Sequence, residues 1–408
     1  MLAVIAPGQG SQKPGFLTPW LDLPGTEARL RWWSALAGVD LLHLGTRAGA
    51  DEIKDTARTQ PLLVAAALLA ADHLPMYDVT VTAGHSVGEL GATALAGVLP
   101  AEAAITLAGV RGREMAAACA LEPTGMAAVL GGDADEVLAT IERHGLYPAN
   151  RNGSGQVVAA GAVDGLEKLS AEPPAKARII PLQVAGAFHT PYMAPAEQAL
   201  AAVASGITPS DPSRILLSNL DGAAVNHGRE MLQRLVRQVT APVRWDLCMR
   251  ALVDLGVTAV VELPPAGTLA GLIKRELGVS ARSAAKRSPA VANEEIKTTG
   301  VPEIVTLNTP DDLPAARDLI ARHGSAPTHE PEIHFRVVVA ANAGMFAPAD
   351  GLAEGDTVTP GQVIGHVATR QGAVEVAAHD GGMLTEWLAH HDDPVAPGQP
   401  LARIGGHR

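Results

Sequence analysis

Across the first 280 residues, short apolar runs alternate with longer Ala- and Leu-rich runs that have a helical period. The short runs predict buried strands at residues 2–6, 79–83, 215–218 and 258–262. The longer runs predict helices at residues 61–74, 88–96, 101–118 and 195–203. Strands that alternate with helices usually pair in parallel, so we expect a mainly parallel α/β sheet.

A smaller pattern lies inside this one. Strand-like runs at residues 126–130, 156–160 and 178–183 are separated by helical runs at residues 134–144 and 163–169. This order is typical of a ferredoxin-like α+β subdomain. We therefore expect an insert of that kind at about residues 122–188.

The bulk composition excludes several classes of protein. A chain of 408 residues is long enough for two or three domains. Its net charge of −12 argues against a nucleic-acid surface. Cys119 and Cys248 are too few and too far apart for a disulfide framework or a zinc site, so we expect them to be reduced. The start of the chain lacks signal-peptide features, and the apolar run at 62–71 is too short to span a bilayer. We expect a soluble, cytoplasmic protein without a metal or cofactor.

The C-terminal part differs in composition. Residues 280–300 are polar and without period, a strand is predicted at 304–307, and a helix is predicted to end at His323, before Gly324. The segments that begin at Gly355 and Asp392 are near copies with the same Pro-Gly-Gln turn. Such a repeat predicts a small all-β domain with pseudo-twofold symmetry. Residues 298–408 hold fourteen acidic and six basic residues and no lysine, so most of the negative charge lies there.

Ser86 lies in Gly84-His-Ser-Val-Gly88, which fits the G-x-S-x-G pattern. A predicted strand enters this pentapeptide and a predicted helix leaves it, as in a nucleophile elbow. The glycines allow a tight turn that exposes the serine hydroxyl at the start of the helix. Without that context, Ser86 would be an ordinary turn serine.

A serine nucleophile needs a base, and the chain has fourteen histidines. His85 is adjacent to Ser86 but should point away from it, so we interpret it as structural. His189 follows a strand-like run and precedes a helix, which suits a catalytic loop residue, although its position alone favours a surface or capping role. The glycine-rich segment after the first strand, residues 7–12, has neither the lysine of a P-loop nor the spacing of a dinucleotide fingerprint. A Gln amide there would suit an oxyanion, but the segment by itself favours a plain strand-to-helix turn.

Eight segments of this chain occur together, in the same order, in one known family. They are Gly8-Gln9-Gly10-Ser11-Gln12, Gly84-His85-Ser86-Val87-Gly88-Glu89, Arg111-Gly-Arg-Glu-Met115, Asn150-Arg-Asn152-Gly-Ser-Gly-Gln156, Ala187-Phe188-His189, Arg237-Gln238, Ala241-Pro-Val-Arg-Trp245 and Val261-Glu262-Leu263. Over about residues 1–280 the chain resembles the bacterial malonyl-CoA:acyl-carrier-protein transacylases, which are related to the acyltransferase domains of fatty acid and polyketide synthases. The sequence departs from that family at Pro264-Pro265-Ala266-Gly267, where a Gly-Pro-Gly segment is usual.

The resemblance implies a role for each matching residue. Ser86 would be the acylated serine and His189 its general base, oriented by the backbone carbonyl of Gln238. The backbone N–H groups of Gln9 and Val87 would form the oxyanion hole. Arg111 would bind the free carboxylate of malonyl, since its planar fork suits a carboxylate. Met115, Asn152 and Phe188 would line the pocket, and Phe188 resembles the malonyl-selective form of its motif.

The C-terminal part resembles a second family, the biotinyl/lipoyl carrier domains, which are flattened β sandwiches. In such carriers a hairpin lysine holds the prosthetic group, and alignment places Gln371 at that position. An amide nitrogen is not nucleophilic enough to be biotinylated or lipoylated. We therefore interpret this part as a degenerate carrier domain.

Together these interpretations predict three segments. Residues 1–280 would be the malonyltransferase, residues 281–333 a linker with a short strand and helix, and residues 334–408 the biotinyl/lipoyl-like barrel-sandwich domain. The expected reaction is ping-pong transfer of malonyl from malonyl-CoA to the phosphopantetheine thiol of an acyl carrier protein for fatty acid synthesis. Three alternatives stay open: a polyketide or malonate decarboxylase carrier protein as acceptor, a thioesterase, and a tail that docks an acyl-CoA carboxylase subunit.

Overall fold

The computed structural model describes residues 1–153, 155–287, 301–324, 335–370, 372–379 and 381–405. The chain divides into two compact units. Unit 1 comprises Met1–Pro14 and Gly49–Pro327, and unit 2 comprises Gly15–Ala48 and Thr328–Arg408. Each unit therefore contains two separate stretches of the chain, which the sequence did not predict.

Helices occur in both units and account for much of unit 1. In chain order they are α1 (Thr26–Ala37), α2 (Leu41–Thr46), α3 (Thr56–Ala71), α4 (Gly88–Leu95), α5 (Ala101–Cys119), α6 (Ala134–Arg143), α7 (Val163–Ala171), α8 (Ala194–Ala204), α9 (Gly228–Arg237), α10 (Trp245–Asp254), α11 (Thr268–Arg287) and α12 (Leu313–His323). Among the described residues, no helix is long and apolar enough to cross a membrane.

Unit 1 contains nine described strands in two sheets. They are β1 (Leu2–Ala6), β2 (Val81–Gly84), β3 (Thr124–Gly131), β4 (Tyr147–Arg151), β5 (Gln156–Ala162), β6 (Ala177–Pro181), β7 (Ile215–Leu216), β8 (Ala259–Glu262) and β9 (Glu303–Thr306). The first sheet has the order β7-β2-β1-β8-β9, and all its pairs are parallel. The predicted parallel α/β core is confirmed. Its central strands are apolar because both faces of the sheet are covered.

The second sheet of unit 1 is antiparallel, with the order β4-β5-β3-β6. Along the chain its elements run β3, α6, β4, β5, α7, β6. Five of these six elements match the predicted insert closely, whereas β4 was not predicted. A separate core that includes Val129, Ile141 and Leu169 packs the two helices on this sheet.

The segment predicted as a linker contributes to the core of unit 1. Its strand, β9, pairs with β8 in register Val260↔Ile304, and α12 packs near β8 with Leu319 and Ile320 buried. Helix α11 continues to Arg287, beyond the predicted start of the linker. Residues 280–287 lack an apolar stripe, but they are rich in Ala, Lys and Arg, which favour helix.

Unit 2 contains two antiparallel four-stranded sheets and the helices α1 and α2. Its strands are β10 (Phe335–Val339), β11 (Gly344–Pro348), β12 (Thr357–Val358), β13 (Val363–Thr369), β14 (Gly372–Ala377), β15 (Gly382–Trp387), β16 (Asp393–Val395) and β17 (Pro400–Gly405). The sheets have the orders β10-β17-β15-β12 and β14-β13-β11-β16. They share one hydrophobic core, which includes Phe346, Leu384 and Ile404. Gln371, the predicted position of the missing carrier lysine, lies outside the described residues.

Candidate active site

Ser86 lies between the end of β2 and the start of α4, at a turn with unusual backbone geometry. Its φ is 53°, in the left-handed region that non-glycine residues rarely adopt. A Cβ on Gly84 would lie 2.1 Å from the Gly88 oxygen, and a Cβ on Gly88 would lie 2.3 Å from the Ala6 oxygen. Only glycine therefore fits on either side, and the turn presents the Ser86 hydroxyl to a cavity in unit 1. This is the geometry of a nucleophile elbow.

The side chain of His189 lies next to this hydroxyl. Its Nε2 is 2.8 Å from Ser86 Oγ, and its Nδ1 is 2.7 Å from the backbone oxygen of Gln238. Because a carbonyl oxygen can only accept, Nδ1 carries the proton and Nε2 is left to accept one from the serine. Burial, reinforced by the positive charge of Arg111, lowers the pKa of His189 to about 3. The imidazole is therefore neutral, as a general base must be.

Arg111 extends from α5 toward the same hydroxyl. Its guanidinium is buried and contacts three oxygens: Nη1 lies 2.6 Å from Gln60 Oε1, and Nη2 lies 2.8 Å from Gln238 Oε1 and 3.4 Å from Ser86 Oγ. Burial lowers the pKa of Arg111 to about 10, while Glu89 acts in the opposite direction. At neutral pH the residue stays a cation beside the nucleophile.

A hydrogen-bond network that the sequence did not predict holds the turn in place. Ser86 N donates to Asn219 Oδ1 at 2.8 Å, and Asn219 Nδ2 donates to the Gly84 oxygen at 2.7 Å. The buried carboxylate of Glu89 accepts from Asn219 N at 2.7 Å and from Gln238 Nε2. Burial raises the pKa of Glu89 to about 7. Only Glu89, which directly follows the Gly84–Gly88 pentapeptide, could have been linked to the turn from the sequence. Asn219 is distant in sequence, and folding brings it to the turn.

His85 lines the same cavity, but its imidazole contacts Asn152, whereas the Ser86 hydroxyl contacts His189 and Arg111. The Nε2 of His85 lies 2.9 Å from Asn152 Oδ1, and its ring packs edge-on against Trp245 with centroids 5.9 Å apart. Burial lowers the pKa of His85 as well. Asn152, which the sequence predicts to line the pocket, is thus tied to the residue that precedes Ser86.

A cavity of about 640 Å³ lies over these groups. It is lined by eight of the nine predicted site residues: Gln9, Ser86, Val87, Arg111, Met115, Asn152, Phe188 and His189. The ninth, Gln238, contacts His189 and Arg111 from behind. The structure therefore brings all nine together, and it adds Gln60, which the sequence analysis missed. The volume suits a small acyl group with an extended arm.

The arrangement is chemically suited to acyl transfer through a serine ester. The hydroxyl has a neutral base in contact, and the base is oriented by an acceptor on its other nitrogen. Gln9 and Val87 line the same cavity. Within the described ranges, no cluster of three His, Cys, Asp or Glu side chains is arranged to hold a metal ion.

Comparison with known proteins agrees with this chemistry. The family described as the acyl transferase domain matches residues 5–298. The malonyl CoA-acyl carrier protein transacylase of Mycobacterium tuberculosis is 55% identical over 300 residues, which cover 72% of this chain and 99% of the relative. The Escherichia coli K12 protein of the same name is 32% identical over 306 residues, or 71% of this chain and 97% of the relative.

Solved structures give the same result. The crystal structure of MCAT from Mycobacterium tuberculosis superposes with a TM-score of 0.70 at 50% identity, covering 78% of this chain and 99% of that chain. A malonyl-transacylase solved in complex with a type II polyketide acyl-carrier protein has a TM-score of 0.67 at 28% identity, with 78% and 99% covered. On the extent of these matches, the chain belongs to the acyl transferase domain family, among its malonyl-CoA–acyl carrier protein transacylases.

Proposed function

We propose that this protein transfers malonyl from malonyl-CoA to the phosphopantetheine thiol of an acyl carrier protein, and that it supplies fatty acid synthesis. The observation that carries the proposal is the Ser86–His189 contact, which lies in the same cavity as a buried Arg111. A serine and base alone would serve any acyl group. The buried cation beside them is what suits an acyl group with a free carboxylate.

In the first half-reaction His189 Nε2 takes the proton of Ser86 Oγ as the oxygen attacks the thioester carbonyl. The backbone N–H groups of Val87 and Gln9 stabilise the oxyanion of the tetrahedral intermediate. As the C–S bond breaks, His189 returns its proton to the CoA thiolate. A malonyl ester on Ser86 and free CoA result.

In the second half-reaction the carrier-protein thiol loses its proton to His189 and attacks the ester. The oxyanion is held as before, and the Ser86 alkoxide leaves with the proton from His189. Malonyl is then a thioester of the carrier protein, and the enzyme is regenerated. Arg111 holds the malonyl carboxylate throughout, while Met115, Asn152 and Phe188 shape the cavity. The chemistry needs no cofactor.

The direct test is mass spectrometry of the intact protein after incubation with malonyl-CoA. One malonyl group should appear on the peptide that contains Ser86, and Ser86→Ala should abolish it. Addition of an acyl carrier protein in its phosphopantetheine form should remove the label and produce malonyl-carrier. Labelling that survives Ser86→Ala would refute the mechanism, and release of free malonate in place of malonyl-carrier would identify a thioesterase.

A polyketide carrier protein is the second candidate acceptor. It is favoured by the similar malonyl-transacylase that was solved in complex with a type II polyketide acyl-carrier protein. The two candidates share the same site, so only the acceptor separates them. Rates measured with purified fatty acid and polyketide carrier proteins from the source cells would distinguish them.

We also propose folds for the two subdomains. The strand order β4-β5-β3-β6, with two strand–helix–strand connections, supports a ferredoxin-like subdomain at about residues 122–188. The paired sheets and the repeated turns at Pro360 and Pro397 support a biotinyl/lipoyl-like domain at residues 334–408.

The absence of lysine from residues 334–408 supports a domain without a prosthetic group. Blotting of the natural protein for biotin and lipoate should therefore be blank. A pull-down with the full chain would test whether this domain docks an acyl-CoA carboxylase subunit. The cytoplasmic location stays a prediction.

A further inference from the structure

Arg111 is a buried cation whose hydrogen-bond partners are neutral oxygen atoms. They are the carboxamide oxygens of Gln60 and Gln238 and the hydroxyl of Ser86. Within the described part of the chain, no carboxylate forms an ion pair with Arg111. Burying a charge without a counter-ion is costly, and proteins usually avoid it by pairing the charge. The arrangement therefore calls for a reason beyond stability.

A potential counter-ion lies close by, but it is held away from Arg111. The buried carboxylate of Glu89 accepts a hydrogen bond from Gln238 Nε2, while Gln238 Oε1 accepts one from Arg111 at 2.8 Å. The carboxamide of Gln238 therefore lies between the acid and the guanidinium. Because an amide carries no net charge, it satisfies hydrogen bonds on both sides without neutralising the cation.

Gln60 restrains the other arm of the guanidinium in a similar way. Its Oε1 lies 2.6 Å from Arg111 Nη1, and its Nε2 donates to Met115 Sδ at 3.4 Å. The reverse orientation would place two donors against each other, so the contacts fix which end of the amide faces Arg111. Gln60 is only 2% exposed, so little water competes for its hydrogen bond to Arg111. Arg111 has five N–H groups, and these contacts use three of them.

We propose that Gln60 and Gln238 are positioning residues that determine the preference for malonyl. Their neutral carboxamides fix the guanidinium of Arg111 toward the cavity and leave its charge for the carboxylate of the acyl group. A carboxylate in either place would hold Arg111 equally well but would cancel that charge. This inference rests on the proposed function, since it assumes that malonyl is the donor group.

The test measures acylation of Ser86 by malonyl-CoA and by acetyl-CoA, each as kcat/KM, and compares the ratio between variants. Gln60→Glu adds a carboxylate of the same size beside Arg111, so the malonyl-to-acetyl ratio should fall by about tenfold or more. Gln60→Met removes the acceptor without adding charge, so it should lower the ratio less than Gln60→Glu does. Gln183→Glu is the matched control, because Gln183 lines the same cavity next to Lys54 but does not contact Arg111.

Gln238 is tested by rescue. Gln238→Leu removes the group that separates Glu89 from Arg111, so the acid pairs with the guanidinium and the malonyl-to-acetyl ratio falls. Adding Glu89→Gln removes the acid and should restore the ratio, which a purely structural role for Gln238 does not predict. Cooperative thermal melting of each variant checks its folding.

The outcomes separate this inference from the proposed function. If the unmodified protein does not acquire malonyl on Ser86, the proposed function fails. If it does, but Gln60→Glu leaves the ratio unchanged or lowers it no more than Gln60→Met and Gln183→Glu do, the role of the neutral amides is refuted. A double variant of Gln238 and Glu89 that shows no rescue would refute the role of Gln238.

Discussion

We expect substrate choice to depend on Arg111, because malonyl differs from acetyl by one carboxylate. Arg111→Ala removes the cation but leaves the Ser86–His189 contact and the oxyanion donors in place. Losing one partner of a buried pair costs ~3–5 kcal/mol, or on the order of 10²–10⁴ in rate. Malonyl transfer should fall by about that factor, while acetyl transfer stays or rises. Arg111→Lys should restore malonyl transfer only in part, since an ammonium lacks the planar fork. Equal losses with both substrates would show that Arg111 is structural.

The proposed role of His189 as general base gives a second prediction at this scale. His189→Ala should slow acylation of Ser86 by a factor on the order of 10²–10⁴, the usual contribution of a general base. The rate of label appearance on Ser86 after rapid mixing with malonyl-CoA measures it. A variant with near-normal rates would show that another group accepts the proton.

The pH dependence of acylation follows from the lowered pKa of His189. Burial and Arg111 hold that pKa at about 3, so His189 stays neutral and competent as pH falls through 6.5. The acid limb of kcat/KM for acetyl-CoA should therefore lie well below the ordinary histidine value. Arg111→Ala removes one cause of the shift and should move the limb to higher pH. The pKa of Glu89 is about 7. If kcat/KM instead fell as the pH dropped below about 7, and this fall disappeared in Glu89→Gln, the titrating group would be Glu89.

Sequence reasoning proposed candidates for the reacting groups but not for the residues that hold them in place. Ser86 lies in a local pattern, and the resemblance assigned His189 and Arg111, which the structure places in contact with Ser86. Gln60 and Asn219 have no local pattern, because their role arises from contacts with residues 51 and 133 positions away along the chain. Such contacts form only when the sheet and its helices are assembled.

At the level of elements, the strand–turn–helix around Ser86 depends on two glycines that have no room for a side chain. Gly84→Ala and Gly88→Ala would each place a Cβ within 2.4 Å of a backbone atom. In the first variant α4 would have to move away from β2, and in the second it would have to move away from the end of β1. Each should lower the free energy of unfolding by about 1–3 kcal/mol and slow acylation of Ser86. Gly91→Ala in α4 is the control, because its Cβ meets only ordinary contacts at 3.7 and 3.8 Å. Alanine is the better helix former there, so that variant should be neutral or slightly stabilised. Urea unfolding of the three variants measures the difference.

Elements with a clear period were predicted within a few residues, whereas others were missed for identifiable reasons. Strand β4 contains Pro148 and begins at the half-exposed Tyr147, so it has no apolar run. Helix α1 was missed because its buried face includes Arg29 and Thr26 beside two tryptophans. A polar residue in a buried face hides the period until its partner is known.

At the scale of the whole molecule, α1 packs against the C-terminal part of the chain. Within unit 2, Arg29 Nη2 donates to the His379 oxygen at 2.6 Å, and the rings of Trp32 and His379 have centroids 3.8 Å apart. A Cβ on Gly25 would lie 3.1 Å from both the His379 oxygen and Pro360 Cβ. Helix α1 therefore belongs to the same packed unit as residues 335–405, although it lies some 300 positions earlier in the sequence.

This packing leads to a prediction about truncation after Ala326. The predicted catalytic residues all lie in unit 1, and relatives matched over 99% of their length cover only 72% of this chain. The shortened chain should therefore fold and keep malonyl transfer, but with a lower melting temperature, because Trp32 and Arg29 lose the partners that bury them.

Trp32→Ala supplies the second arm of a double-mutant cycle. In the full chain it removes the contact with His379 and should be strongly destabilising, whereas in the shortened chain that contact is already absent and the loss should be smaller. A coupling free energy of about 1 kcal/mol or more is expected for residues in direct contact. Additive losses would show that the C-terminal part contributes nothing to the stability of α1, and loss of transfer on truncation would show that the enzyme requires it.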